Sequence, residues 1–140
     1  MLELMIAVTI LAIIAGTAIP NIARYSRRAR VDRAAYQVAV DVQNAFSLAA
    51  RQRKPIRVTL PSGTTTYTIS DRATSSAIVS RALGTGSDYS LTLVSFAPAT
   101  VDIFPNGTST ASLTVTLTSS DYTRTVTVSS AGFARVVPLS

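Results

Sequence analysis

Cysteine, histidine and tryptophan are absent from the 140 residues. That excludes disulfides, thiolate nucleophiles, Cys or His metal sites and any catalytic triad built on imidazole. It leaves the redox compartment open, because a Cys-free chain works in either. Acidic residues are scarce as well, seven against thirteen Lys and Arg, for a net charge of +6. Ser and Thr are abundant, but no base is available to activate one. Asp71, Asp88, Asp102 and Asp121 fall in or beside expected turns, where Asp serves the backbone. Asn106-Gly-Thr108 fits a glycosylation acceptor, and a hairpin turn explains it equally. No enzymatic activity, metal or cofactor is expected.

What the chain does have is concentrated apolar sequence. Residues 1–23 carry a single charge, Glu3. About 20 helical residues at ~1.5 Å each cover a ~30 Å hydrocarbon core, so this stretch reads as a transmembrane helix. The alternative is a buried core helix, which the remaining residues are too few to wrap. From Ile22 onward the period changes. Val31, Ala35, Val38, Val42, Ala45 and Ala49 recur at spacings of three and four. Arg27, Arg30, Arg33, Gln37, Asp41 and Asn44 fall mostly between them, which predicts an amphipathic helix with one packed stripe. Lys54-Pro55 ends it near Arg53. Gly16 and Pro20 are expected to bend or loosen the helix near the membrane exit.

The rest reads as β. Candidate strands are 56–60, 65–70, 77–83, 89–96, 100–104, 111–118, 122–129 and 133–139, separated by Gly, Pro, Asn and Ser breakers. Leu113, Val115 and Leu117 alternate with Thr114, Thr116 and Thr118. Asn106-Gly107 is the strongest hairpin signal. The expected fold class is α+β: a long N-terminal helix on an antiparallel sheet, or pair of sheets, whose face is covered by residues 31–49. The expected divisions are a transmembrane segment at 1–23, an amphipathic helix at 24–54 that packs on the head, and a β-rich head at 55–140.

Residues 24–57 hold Arg24, Arg27, Arg28, Arg30, Arg33, Arg51, Arg53, Lys54 and Arg57 against Asp32 and Asp41. Arg24, Arg27 and Arg28 lie just beyond the apolar span, where each gains about 1 kcal/mol from anionic lipid headgroups. The plain alternative is a solvated helical face, paired with Asp32 or a neighbouring subunit. Arg51, Arg53, Lys54 and Arg57 gather at the helix end, where cations suit the helix dipole. The competing reading is a DNA-contacting patch joined by Arg124 and Arg135, although no aromatic residues interleave for base stacking.

The run from Glu3 through Leu4-Met-Ile-Ala-Val-Thr-Ile-Leu-Ala-Ile-Ile-Ala15, then Ala18-Ile-Pro20, resembles the N-terminal segment of type IV pilins and type II secretion pseudopilins. Met1-Leu2-Glu3-Leu4 matches the last four positions of the family's mature start, and Pro20 falls where the family keeps its helix-bending proline. Residues 42–58 and 101–107, and Val126-Thr-Val-Ser-Ser-Ala-Gly132 followed by Arg135, are similar to the GspH/FimT subfamily of minor pseudopilins. DNA-binding FimT-type members tend to carry two arginines beside that glycine; here Phe133 follows it and Arg135 alone remains.

The resemblance implies a pilin-like fold with no enzymatic activity. It also implies a prepilin peptidase acting, with N-terminal methylation, at a site outside these residues. Glu3 would pair with the N-terminal amine of a neighbouring subunit, neutralising two charges in an apolar filament core. The alternative for Glu3 is a carboxylate at headgroup level. The implied location is the inner membrane, single-pass, with the head in the periplasm, although the positive-inside rule alone would retain the arginine-bearing side in the cytoplasm. The implied function is a minor pseudopilin near the tip of a type II secretion pseudopilus, with other pseudopilins and membrane lipid as partners. The alternative is a type IV pilus minor subunit in assembly or DNA uptake. An unrelated single-span protein with a β-rich binding head is the reading from another class.

Overall fold

In the computed structural model the described residues are 2–120 and 122–138, without the side chains of residues 16–20 and 138. One helix, α1 (Leu2–Gln52), accounts for 51 residues and extends about 77 Å at ~1.5 Å per residue. It ends where Arg53 turns to a positive φ of 54° and Pro55 follows, a left-handed stop after the last helical residue. The bend expected at Gly16 and Pro20 lies outside the described residues.

Eight strands follow: β1 (Ile56–Thr59), β2 (Thr66–Asp71), β3 (Ala77–Ala82), β4 (Leu93–Ala97), β5 (Thr100–Ile103), β6 (Leu113–Ser119), β7 (Tyr122–Val128) and β8 (Ala134–Pro138). They form two four-stranded antiparallel sheets, ordered β3-β2-β1-β5 and β4-β6-β7-β8. The chain therefore passes between sheets at β3–β4, β4–β5 and β5–β6. Each strand matches one expected from alternation and breakers. In β6 the buried residues are Leu113, Val115, Leu117 and Ser119, with the threonines half-buried between them.

Two expectations are corrected. The segment expected as a strand from residue 89 begins pairing at Leu93 instead. Ser90 adopts a positive φ of 49°, and Leu91 turns inward, its N–H donating to the Leu83 carbonyl at 2.9 Å. Leu83 and Leu91 are both buried, so this loop contributes to the core. The Asn106-Gly107 turn does form, with Gly107 at φ 82° and the Phe104 N–H donating to the Thr108 carbonyl at 2.8 Å. It does not pair the strands on its two sides, however. After one bridge, Ile103 to Ser109, the chain leaves β5 for the other sheet, because β6 is already paired on both edges by β4 and β7.

The core lies between helix and sheets. Among the described residues, burial along α1 begins at Val31 and recurs at Ala34, Ala35, Val38, Val42, Ala45 and Ala49, a stripe of the width expected for a helix on a sheet. The helix touches β6, β7 and β8 of one sheet and β1 and β5 of the other, so it spans the seam between them. Tyr67 of β2 and Phe96 of β4 meet across the seam, ring centroids 5.6 Å apart. Near the helix end, Gly132 lies in the β7–β8 turn. Its φ is 86°, and a Cβ there would lie 3.1 Å from the Phe46 ring, so both conformation and space call for glycine.

Candidate functional site

The first feature that calls for a partner is the N-terminal half of α1. Every side chain of residues 2–15 is exposed, including Leu2 at 74% and Leu11 at 71%. A helix apolar on all sides belongs inside a lipid bilayer or among other helices. Among the described residues, no helix is long and apolar enough to cross a membrane. Residues 2–15 amount to about 21 Å of helix, short of a ~30 Å hydrocarbon core. Glu3 is exposed in the first turn, where a carboxylate suits the positive end of the helix dipole. The Thr9 hydroxyl turns back onto the Met5 carbonyl at 2.7 Å, which lowers its polarity on an otherwise apolar surface.

The arginines divide into two groups about 28 Å apart along the helix, judged by the spacing of Asp32 and Arg51 at ~1.5 Å per residue. At the base of the head, Arg124 of β7 donates from Nε to Asp32 at 2.5 Å, and the Tyr122 hydroxyl reaches the same carboxylate oxygen at 3.4 Å. The Arg124 guanidinium lies 5.4 Å from the Tyr122 ring centroid and that of Arg28 5.5 Å. The hydrogen bond and charge of Asp32 raise the Arg124 pKa. Asp32 is thus held by a strand 92 residues away rather than by the arginines beside it in sequence. Arg24, Arg28, Arg30 and Arg33 are exposed. Arg27 is half-buried, and its Nε has no hydrogen-bond partner among the described residues.

At the far end, Arg57 makes a two-pronged contact to Asp102, at 2.7 and 3.0 Å. The two residues are direct cross-strand partners on β1 and β5. Arg72 adds a contact to Asp102 at 3.2 Å, with its guanidinium 5.9 Å from the Phe104 ring centroid. The Arg57 hydrogen bonds and charge hold the Asp102 pKa below the ordinary carboxylate value, against the opposing effect of burial. Lys54 lies 3.9 Å from Asp71. Arg51 and Arg53 remain exposed, and Arg135 is exposed on β8. The six residues considered for DNA contact are therefore not one surface: Arg57, Lys54 and Arg124 are engaged with carboxylates, and Arg124 sits at the opposite end of the head.

Sequence reasoning missed the most connected polar group. Asp41, expected on the solvent face, is buried and accepts from the Tyr67 hydroxyl at 2.5 Å, from Arg81 Nε at 2.6 Å and from Gln37 Nε2 at 2.9 Å. Burial first, then the neighbouring Asp41, raises the Tyr67 pKa far above that of a free tyrosine. The signal was present in the spacing: Asp41 stands three residues after Val38 and four before Ala45, inside the buried stripe. This cluster ties the helix to the sheet edge at β3, and Asp41 also borders an open cavity of about 380 Å³ lined by Asn44, Ser47, Leu48 and Arg51. Among the described residues, no group of acidic side chains is arranged to hold a metal ion.

A family model described as type II transport protein GspH matches residues 34–132. The fold is also similar to two crystal structures of the type IV minor pilin FimU from Pseudomonas aeruginosa strain PAO1. One gives a TM-score of 0.63 at 21% identity, covering 81% of this chain and 92% of FimU. The other gives 0.59 at 22% identity, covering 76% and 92%. The shared arrangement is a long helix followed by antiparallel sheets, the pilin-like fold. No curated protein matches the chain.

Proposed function

Since the chain belongs to the GspH family of pilin-like proteins, we propose that it is a structural subunit of a short periplasmic filament, a minor pseudopilin of a type II secretion system. The observation that carries this reading is the exposed apolar half of α1, projecting from a head whose own core begins only at Val31. Residues 1–23 anchor the chain in the inner membrane before assembly, with the head in the periplasm. On assembly the same surface leaves lipid and packs among the helices of other pilin-like subunits, near the filament tip. Glu3 then pairs with a neighbouring N-terminal amine, because neither charge tolerates an apolar core alone. Prepilin peptidase is the processing partner. The role is mechanical rather than catalytic.

The likeness to FimU favours a second reading, a type IV pilus minor pilin. Deleting the chain from its host separates the two. A secreted enzyme that stalls in the periplasm supports the secretion role; loss of surface pili with secretion intact replaces it by the pilus role. Glu3→Ala tests assembly itself. Incorporation into sheared or cross-linked filaments is expected to fall at least about tenfold, equivalent to ~1.4 kcal/mol or more, with the membrane-bound amount unchanged. Normal incorporation of the variant would remove Glu3 from the mechanism.

A further inference from the structure

We propose that Arg24, Arg27 and Arg28 form a binding site for anionic phospholipid headgroups, set in the slot between the bilayer surface and the underside of the head. The inference rests on the membrane-anchored reading above. Residues 4–23 amount to about 30 Å of helix, one hydrocarbon core, so Arg24 stands where the core ends. From Arg24 to Arg28 is about 6 Å of rise. That is the depth of one headgroup layer, since a bilayer of ~40–45 Å holds a core of ~30 Å.

The structure supplies what the sequence did not. At 100° per residue, Arg24, Arg27 and Arg28 fall on the same side of α1 as Val31 and Ala35, directly beneath the head. The one acid in this stretch, Asp32, is occupied by Arg124 at 2.5 Å and does not neutralise them. Tyr122 stands over Arg28, its ring centroid 5.5 Å from the guanidinium carbon. A guanidinium placed against an aromatic ring keeps in-plane N–H groups for a phosphate, and arginine recognises phosphate in two-pronged fashion. Asn21, Arg24, Tyr25 and Arg28 line an open cavity of about 210 Å³. Tyr25, one of the lining residues, is exposed, and tyrosine is a residue type that settles at a membrane–water interface. Arg27 adds a third positive charge on the same side of the helix, although its Nε is itself buried.

Phosphate of a nucleic acid shares this chemistry, but in the anchored chain these arginines stand at the headgroup layer, where lipid phosphate is the phosphate at hand. The ligand is therefore an anionic diacyl lipid such as phosphatidylglycerol, held through its phosphate while its chains stay in the leaflet.

The test uses the full chain in nanodiscs of phosphatidylcholine with one tenth phosphatidylglycerol. Lipids that remain bound after gentle detergent release are counted by native mass spectrometry. Phosphatidylglycerol is expected to be enriched about fivefold or more over its share of the disc, which is ~1 kcal/mol for one arginine. The triple variant Arg24→Gln, Arg27→Gln, Arg28→Gln is expected to return it to that share. Arg51→Gln with Arg53→Gln, which removes charge at the far end of the helix, is expected to leave the enrichment intact. Wild-type lipids at the disc ratio would overturn the proposal while leaving membrane anchoring in place. So would Arg24-, Arg27- and Arg28-dependent retention of duplex DNA on pure phosphatidylcholine discs without lipid enrichment. Failure of the chain to enter discs of either composition would instead overturn the anchored reading, and the headgroup site with it.

Discussion

Asp41 and Asp102 are the two carboxylates whose loss the head should feel most, and for different reasons. Asp41 is buried and serves three donors, Tyr67, Arg81 and Gln37. Asp41→Ala leaves a guanidinium and a buried hydroxyl without an acceptor, a cost of about 2–3 kcal/mol given that Arg81 keeps partial contact with water. Urea unfolding of the full chain in mild detergent, followed by circular dichroism, measures it. A loss under 1 kcal/mol would mean that water takes the vacated place. Asp102 acts through pH. Arg57 depresses its pKa in the folded state. Its contribution is therefore complete above the unfolded carboxylate value near 4 and is lost as the pH falls below it. Thermal midpoints recorded from pH 6 to pH 2.5 should drop at the acid end, and Asp102→Asn should flatten that drop. An unchanged slope would assign the acid sensitivity to another group.

At the scale of elements, the helix is the part most legible in the sequence. The stripe Val31, Ala35, Val38, Val42, Ala45 and Ala49 is buried throughout, because 3.6-residue periodicity is a local property and the sheets beneath accept any regular apolar ridge. The contrast between neighbouring valines tests this. Val38→Ala opens a cavity against the sheets and should cost about 2 kcal/mol. Val40→Ala, at 47% exposure on the outer face, should stay within about 0.5 kcal/mol. Equal losses in the same unfolding measurement would place the helix in a different rotation on the head. The strands were equally legible, since alternation and turn residues mark them one at a time. Their partners were not. Asn106-Gly107 signals a turn correctly, but a turn does not say whether the next strand returns to the same sheet, and here β6 goes to the other. Likewise the apolar residues near 89–92 read as strand, whereas Leu91 is buried in the core and its N–H bonds the Leu83 carbonyl.

At the scale of the whole molecule, the head and the projecting helix are separate in their energetics. Among the described residues the first buried one is Val31, so a chain beginning at Arg24 should unfold within about 1 kcal/mol of the full chain under the same conditions. It should also fail to enter membranes or filaments. A large loss of stability on truncation would show that the N-terminal half supports the head as well as projecting from it.

The sequence by itself determined the apolar helical start, the packed stripe and the eight strands, because each is written in spacings of two to four residues. It also carried the family, through the later motifs that lie within the matched residues 34–132. Tertiary structure alone decided which carboxylate each arginine meets. Asp32 goes to Arg124, Asp102 to Arg57 and Arg72, and Asp41 to Arg81 and Tyr67. A charge pair forms where the fold brings side chains within a few ångströms, whatever their separation along the chain. The six basic residues read as one candidate DNA patch were for this reason divided: Lys54, Arg57 and Arg124 meet carboxylates, while Arg51, Arg53 and Arg135 stay exposed.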